Sequence, residues 1–445
     1  MKTNLLEAYA KRLNIAESFY AGRHNGEKLS DQKKLVTAVC LNNTNKFLTE
    51  AFSNSEGTQM SNLGDYKKFC LSLTNLAVPD LIIYDLMRVE PMTSMSGYIT
   101  YLEITKGSNK GESAQSDLIN NPFQYGKMDV NYTGSLVAET AKAVADDTKV
   151  VVRLGWTPVM VTAEGKLANG GKIIKVEDGT EITDYTVTKE GVITITTGAE
   201  ADNEVKVTYV YDNVYIPQND LPLVSARMKP IALAAKARRI AIYYSQMAAF
   251  QAKTDYGFDL SDTLATQAVG ELNYEIDTEG VQMLVDNAES DENLVWSKTQ
   301  PFGVSLTDHY ESFLNQIEIA KSKIYKRTKK FAPTFMIIAS DILPVLSLVS
   351  KFDQASASKI NGPYFAGTVA GLKVFVSPAL EDGNYVIGVN NNELQATAAI
   401  FAPYMPVVPT QLLGYADGAM SQGWSTLYDM KIVNPLLLIA GRVTA

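Results

Sequence analysis

The sequence predicts an α+β protein in which a small all-β module interrupts a mixed body, and three observations carry that prediction. Residues 1–50 contain no proline and repeat apolar side chains at helical spacing. The stretch from about 127 to 215 alternates at period two, as half-buried strands do. Beyond Ser225, helical and strand-like runs follow one another without the regular βαβ alternation of a parallel sheet.

Taken in order, the first segment sets Leu5, Tyr9, Leu13, Ala16 and Phe19 or Tyr20 beside Lys11, Arg12 and Arg23, which predicts an amphipathic, basic, helical arm. It holds eight basic and five acidic residues, net +3, whereas the whole 445-residue chain has 40 against 49, net −9; the remainder therefore carries −12. From Pro79 the text turns to Asp80-Leu81-Ile82-Ile83-Tyr84-Asp85-Leu86. After Pro91-Met92 and a turn through Ser94–Gly97, Tyr98–Ile104 alternates like a strand. Gly107, Ser108, Asn109 and Gly111 open a loop. Asp184–Thr188 and Val192–Thr196 flank Lys189-Glu190-Gly191, a hairpin signal, and Val205, Val207, Tyr209 and Tyr211 alternate after it. The basic, alanine-rich run Ile231–Lys253, with Arg238, Arg239, Tyr243, Tyr244 and Phe250, predicts a helix ended by Gly257. Leu264, Ala268, Leu272 and Ile276 predict another, capped by Ser261 or Asp262. Phe313, Ile317, Ala320 and Ile324 predict a third that closes on Lys326, Arg327, Lys329 and Lys330, a charge suited to a helix C-terminus. Strands are expected at Phe335–Ser340, Lys373–Ser377 and Tyr385–Val389, with a short helix after the first.

Composition excludes several classes of function. Hydrophobic residues at 46% and charged residues at 20% are ordinary globular usage. The longest apolar runs, such as Phe335–Ala339 and Leu436–Ala440, are far too short to span a bilayer. The start MKTNLLEAYAKR is broken by Glu7, Lys11 and Arg12 and lacks the apolar centre of a secretion signal, so the expected compartment is a cytoplasm and no membrane partner is expected. Cys40 and Cys70, far apart and outside any CxxC pattern, read as buried small hydrophobes. A net charge of −9 is the wrong sign for gripping a phosphate backbone, so sequence-specific nucleic-acid binding is not expected.

Chemistry is thin. His24 and His309 are the whole histidine complement and read as solvated; no HExxH occurs. Gly165–Ile173 misses the phosphate-loop spacing and offers Ile173 where a hydroxyl is needed, so it reads as a β-turn. Asp146-Asp147 and Asp291-Glu292 read as solvated loops, and Lys326–Lys330 as a solvated helix end. No catalytic, cofactor-binding or metal residue is assigned, no cofactor is expected, and the chain reads as a non-enzyme. One pattern stands out: Leu or Ile, any residue, then Glu occurs at Leu5-Leu6-Glu7, Ile15-Ala16-Glu17 and Leu48-Thr49-Glu50. Three of the four glutamates in residues 1–50 carry it and none of the twenty later ones does. Such a distribution fits a segment meant to be cut, joined to a body meant to survive.

Pro79–Asp85 followed by Val89-Glu90-Pro91-Met92-Thr93 resembles the major capsid proteins of T-even-like contractile-tailed phages. The similarity continues in family order at Ala235–Arg239 through Tyr256–Asp259, Phe365-Ala366-Gly367 with Val374-Phe375-Val376, Ile400–Tyr404 with Pro409, and Val433-Asn434-Pro435. The resemblance implies the Hong Kong 97-type shell fold and an icosahedral phage head assembled from hexamers of this chain around the genomic DNA. Its parts would be an N-terminal arm at 1–50, a candidate cleaved propeptide, continued with a first core segment at 51–97; E-loop arms at 98–126 and 216–231, their strands about Tyr98–Lys106 and Pro222–Ile231; an inserted β domain at 127–215, whose threonine-rich strands do not look like the family's insertion; a peripheral domain at 232–335 with a spine helix at about Ala232–Lys253; and an axial domain at 336–445. It also implies prohead-protease cleavage after Glu in such a Leu-x-Glu or Ile-x-Glu setting, with Glu50–Ala51 as the candidate processing site and Glu7 and Glu17 as further ones, a virion location after assembly in the host cytoplasm, and as partners a vertex or pentamer protein, a scaffold or core, a portal and a decoration protein. The alternatives are an encapsulin-like compartment shell and an extracellular adhesion protein.

Overall fold

Helices open the chain in the computed structural model: α1 (Lys2–Ala8), α2 (Ala10–Arg23) and α3 (Asp31–Ser53). The structure describes residues 2–23, 28–53, 81–110, 113–121, 124–125, 131–146, 149–197, 200–214, 221–257, 259–355, 362–391, 394–410, 413–415 and 417–444. It divides into two units, Met1–Ile99 with Pro230–Ala445, and Thr100–Lys229. The next element among the described residues is a single turn, α4 (Ile83–Leu86), whose first amides would otherwise be orphaned at a buried place. The Asp277 carboxylate accepts from Ile83 N at 3.2 Å and Ile82 N at 3.4 Å and fills that role. Strands β1 (Arg88–Val89) and β2 (Ser96–Lys106) follow, the second covering the run read as a strand at Tyr98–Ile104.

Within the Thr100–Lys229 unit lie β3 (Leu118–Asn121), β4 (Gln124–Tyr125), β5 (Leu136–Lys142), β6 (Val144–Asp146), β7 (Lys149–Arg153), β8 (Lys172–Lys175), β9 (Tyr185–Val187), β10 (Val192–Ile195) and β11 (Glu204–Val210); β12 (Val224–Ala234) leads out of it. Two small antiparallel sheets, ordered β6-β7-β10-β9 and β5-β11-β8, turn Val152, Ile173, Ile193, Val205, Val207, Tyr209 and Tyr211 into one core. The period-two reading of 205–211 is thus matched: its odd-numbered residues are the fully buried ones. The hairpin read at 184–196 is present, with Ile193 opposite Val187 and Gly191 at φ +78°, a conformation that costs glycine little. A third sheet runs β12-β2-β3-β4; there Lys229 Nζ meets the buried Glu103 carboxylate at 2.7 Å. Lys110 is a buried cation whose Nζ donates to the carbonyls of Tyr132 (2.8 Å) and Gly134 (2.6 Å) and to the Tyr211 hydroxyl (2.8 Å), over the rings of Trp156 and Tyr211.

The other unit continues with β13 (Lys236–Ser245), α5 (Gln246–Asp255), α6 (Leu260–Asp286), β14 (Glu289–Ser297), α7 (Leu306–Glu311), α8 (Phe313–Thr328), β15 (Phe335–Ala339), α9 (Leu343–Ser347), β16 (Phe352–Gln354), β17 (Tyr364–Val369), β18 (Leu372–Ser377), β19 (Asn384–Gly388), β20 (Ala399–Pro409), β21 (Leu413–Gly414), β22 (Ala419–Ile432) and β23 (Leu438–Thr444). Among the described residues one sheet runs β14-β23-β19-β15-β18-β17-β16, and another β1-β20-β22-β13 with β21 on β22. β15 is buried at all five positions, as a central strand covered on both faces must be. Helix α8 buries Phe313, Ile317, Ala320 and Ile324 completely, the stripe its spacing predicts. Helices and strands are intermixed without βαβ repetition, so the α+β class stands.

Three local expectations are corrected. The spine helix expected at Ala232–Lys253 is mostly strand: residues 236–245 form β13, paired in unbroken antiparallel register with Ser245–Lys236 opposite Ala419–Tyr428, and helix begins only at Gln246, where the Ser245 hydroxyl accepts from Ala248 N. Alanine and arginine favour helix intrinsically, but a ten-residue ladder and the inward Ile240 and Ile242 outweigh that weak preference. The long helix is α6 instead, and its cap is Asp259, accepting from Ser261 N, not Ser261 or Asp262. Asp291-Glu292 lies in β14 and not in a solvated loop; the Lys323 ammonium and Asn293 N hold the Asp291 carboxyl below its ordinary range.

Candidate functional site: the amino-terminal helix and its groove

Helix α3 carries the last copy of the Leu or Ile, any residue, then Glu pattern and packs against the body. Ser30 starts it, its hydroxyl accepting from Lys33 N at 3.3 Å, and Asp31 places a negative charge in the first turn, as the helix dipole favours. The apolar residues of the middle turns are covered on nearly every side: Val36, Ala38, Cys40 and Leu41 are fully buried. Thr37 and Thr44 are buried too, and each satisfies its hydroxyl on the carbonyl four residues back, Lys33 O and Cys40 O. Val36 and Cys40 enter the same core as Ile83, Leu86, Met87, Val89 and β15. Burial pushes the Cys40 thiol up to about 12. It also raises the Tyr84 hydroxyl, helped by Cys40 and Asp277.

Polar contacts set the register of this docking. Lys33 Nζ reaches the Tyr20 hydroxyl at 3.2 Å and Asp85 Oδ2 at 3.5 Å, and sits over the Tyr20 ring. Burial disfavours the Lys33 charge, but Asp85 and Tyr20 outweigh it and the net shift is upward. Gln32 Nε2 donates to Val89 O at 3.4 Å. Asn43 Nδ2 donates to Met92 O and to Tyr404 O, both at 2.8 Å. The second bond has a local cause. Strand β20 carries Pro403, Pro406 and Pro409, and its register against β22 slips between Pro403 and Met405 and again between Met405 and Val408. Prolines and bulges leave a ladder incomplete. Glu90 N and Met92 N pair with Phe401 O and Pro403 O along the outer edge of β20, and at Tyr404 the helix takes over through Asn43.

The structure puts the candidate processing residues on helices. Glu7 is on α1 and Glu17 on α2, where Glu17 Oε2 meets Lys34 Nζ of α3 at 3.2 Å. Glu50 and Ala51 are both inside α3, which ends at Ser53. Leu48, the first residue of the Leu-Thr-Glu pattern, is 2% exposed and packs against Met405 and Val408 of β20, with Tyr404 and Leu427 at the margin. Sequence reasoning found the pattern but not this partner. Nor did it single out Asn43, which stands among the polar residues Asn42, Thr44 and Asn45 with nothing in the sequence to mark it.

The remaining motif residues are dispersed. His309 is half-buried, not solvated: it stacks on Trp296 with ring centroids 4.9 Å apart and contacts Ser297 O at 2.9 Å. Gly165–Ile173 makes turns with Gly165 and Gly170 at positive φ and buries Ile173, as the β-turn reading expects. Arg327 pairs with Glu289 at 2.9 Å, and Lys329 takes the left-handed conformation that ends α8. Asp146 is exposed in β6. Cys40 is a buried free thiol, as read. His24, Cys70, Pro79, Asp80 and Asp147 lie outside the described residues. Among the described residues no group of histidine, cysteine and carboxylate side chains is arranged to hold a metal, and no helix is long and apolar enough to cross a membrane.

Large apolar side chains lie outside the cores as well. Leu102, Leu223, Val224 and Met228 are exposed on or beside β2 and β12 in one unit; Met247, Phe250 and Tyr256 are exposed on or just after α5 in the other. These side chains are apolar surface available for packing against other chains. The chain belongs to the major capsid protein Gp23 family, whose model matches residues 63–442. It is 22% identical over 402 residues to a major capsid protein of Vibrio phage KVP40, covering 82% of this chain and 75% of that one. It is likewise 22% identical over 408 residues to a major capsid protein of Enterobacteria phage T6, covering 84% and 79%. Among solved structures it is similar to one from Microbacterium phage Oxtober96, with 11% identity, a TM-score of 0.37 and coverage of 82% and 90%. This chain is therefore a structural protein of the phage head, a virion component that assembles into a capsid lattice, and family membership favours that role over a compartment shell or an adhesion protein.

Proposed function

We propose that the chain is made as a precursor, that residues 1–50 are removed by cleavage between Glu50 and Ala51, and that the body from Ala51 builds the shell. The observation that carries this is positional. The pattern of Leu or Ile, any residue, then Glu is confined to the three amino-terminal helices, and its last copy falls where α3 ends and the family match, at 63–442, is about to begin. The protein's work is structural and not catalytic, and its assembly takes place in the host cytoplasm.

In this reading the subunit takes the Hong Kong 97-type arrangement. β2 and β12 are the two strands of the E-loop, 127–215 is an inserted β domain, 232–335 is the peripheral domain with α6 as its long helix, and 336–445 is the axial domain. Hexamers form around the axial domains and the E-loops lie across neighbours, with interfaces of roughly 2,000–5,000 Å² as permanent assemblies bury. Repeated heterologous contacts that close on themselves give the ring and then the shell. The basic arm holds an acidic scaffold or core; the prohead protease, a vertex or pentamer protein, the portal and a decoration protein are the remaining partners. Loss of the net +3 arm takes each subunit from −9 to −12, lessening its attraction for packaged DNA within the Debye length of about 8 Å.

Intact-mass analysis of mature particles tests the proposal. The expected mass is that of a chain beginning at Ala51; particles built of chains beginning at Met1 overturn it.

A further inference from the structure

The bond proposed for cutting sits inside a helix, and the residue that would identify it is out of sight. Leu48 is seated between Met405 and Val408, more than 350 residues away in sequence, and Thr49 closes the same turn by donating to Asn45 O at 2.7 Å. A protease reads an extended stretch of several residues, whereas the helix keeps the amides and carbonyls of this stretch in its own ladder and β20 keeps the leucine. Cutting therefore requires the last turns of α3 to leave β20 and unwind first.

From this we infer that the pocket formed by Met405 and Val408 gates the processing site: it holds Leu48 and keeps Glu50–Ala51 uncut until α3 lifts from β20. The inference rests on the reading of Glu50–Ala51 as the processing site, and it assigns that site a regulation. The gate belongs to the body that survives cutting, not to the arm that is lost. Any rearrangement that shifts β20 then switches the site on. The irregular register of β20 at this place, slipping on either side of Met405, puts the pocket at the part of the strand least held by its own ladder.

A probe protease separates the gate from its biological use. The full chain is incubated under native conditions with a glutamate-specific endoprotease, and the product ending at Glu50 is followed by mass spectrometry. The wild type is compared with Met405→Ala, with Val408→Ala, and with Ile439→Val, which loosens the main core without touching the cluster that holds Leu48. Where local opening is fast, the cutting rate follows the population of the open form. The two pocket variants are expected to be cut after Glu50 about tenfold faster than the wild type, as removal of buried packing atoms predicts, with Ile439→Val unchanged. Equal rates in all four chains overturn the gate. Equal acceleration in all three variants overturns it too, because cutting then proceeds through general unfolding. Failure of mature particles to begin at Ala51 would overturn the processing reading while leaving this comparison to decide whether Leu48 is held.

Discussion

Replacing Asn43 by alanine removes a side chain that ties α3 to both β20 and the segment after β1. Two hydrogen bonds of 2.8 Å are lost: the one to Met92 O is buried and leaves that carbonyl orphaned, and the one to Tyr404 O is part-buried. Tyr404 is the residue skipped in the β20–β22 register, so no regular ladder bond replaces the lost one. A typical hydrogen bond contributes about 0.5–1.5 kcal/mol net, and an orphaned buried group costs about 1–3 kcal/mol, so the docking of α3 should weaken by about 2–4 kcal/mol. A chain of two units need not unfold in a single step, which makes a local reading preferable to a global one. Cys40 provides it, being fully buried between α3 and the main core. Its labelling by a thiol reagent in native buffer, with the modified cysteine identified by peptide mass, should speed up roughly 30- to 1,000-fold in Asn43→Ala. Lys46→Ala, on the exposed side of the same helix, should stay within about threefold of wild type. An Asn43→Ala chain that labels no faster than Lys46→Ala refutes the assignment of Asn43 as the anchor.

Three further perturbations test other parts of the structure. Gly441→Ala places a methyl group into the ring of Tyr385, which is itself held edge-on against Phe313 and by its hydroxyl to Leu294 O; a loss of about 3 kcal/mol and a lower thermal midpoint are expected, and an unchanged midpoint would show that the ring can move. Lys110→Met strips the ammonium from Tyr132 O, Gly134 O and the Tyr211 hydroxyl, and calorimetry should show the transition of the 100–229 unit lowered by about 2–4 kcal/mol, whereas a rise would mean that burying the charge costs more than its bonds return. Burial raises the Cys40 thiol to about 12, so the native state holds this proton after the unfolded chain has released it; the stability it contributes is intact below about pH 9 and falls as the pH rises towards 12, at about 1 kcal/mol per pH unit. Cys40→Ala should flatten that alkaline slope in denaturant titrations without abolishing it, because burial raises Tyr84 as well, and an identical slope in the two chains counts against the thiol's burial.

How far the fold could be read depended on whether an element's own period named its partner. Phe313, Ile317, Ala320 and Ile324 lie on one side of α8 whatever they face, so their spacing alone predicted which residues bury. Val205, Val207, Tyr209 and Tyr211 did the same for β11 at period two. The run 236–245 could not be read this way. Its alanines and arginines favour helix, its Ile240 and Ile242 share a face only in a strand but are too few to set the period, and the matching length of β22, nearly two hundred residues later, makes it a strand.

Of the candidate site, the sequence by itself determined the pattern on which the proposed cut rests: a glutamate two residues after a leucine, in a basic helical arm, at a place unlike any later glutamate. Local composition and charge are properties of neighbouring residues and survive in the linear text. Only the tertiary structure decided that Glu50–Ala51 lies inside α3, that Leu48 is held by Met405 and Val408, and that Asn43 completes the edge of β20. Those facts arise from surfaces brought together by burial of apolar area and by buried carbonyls that must find donors, and nothing in residues 1–50 names the strand that meets them.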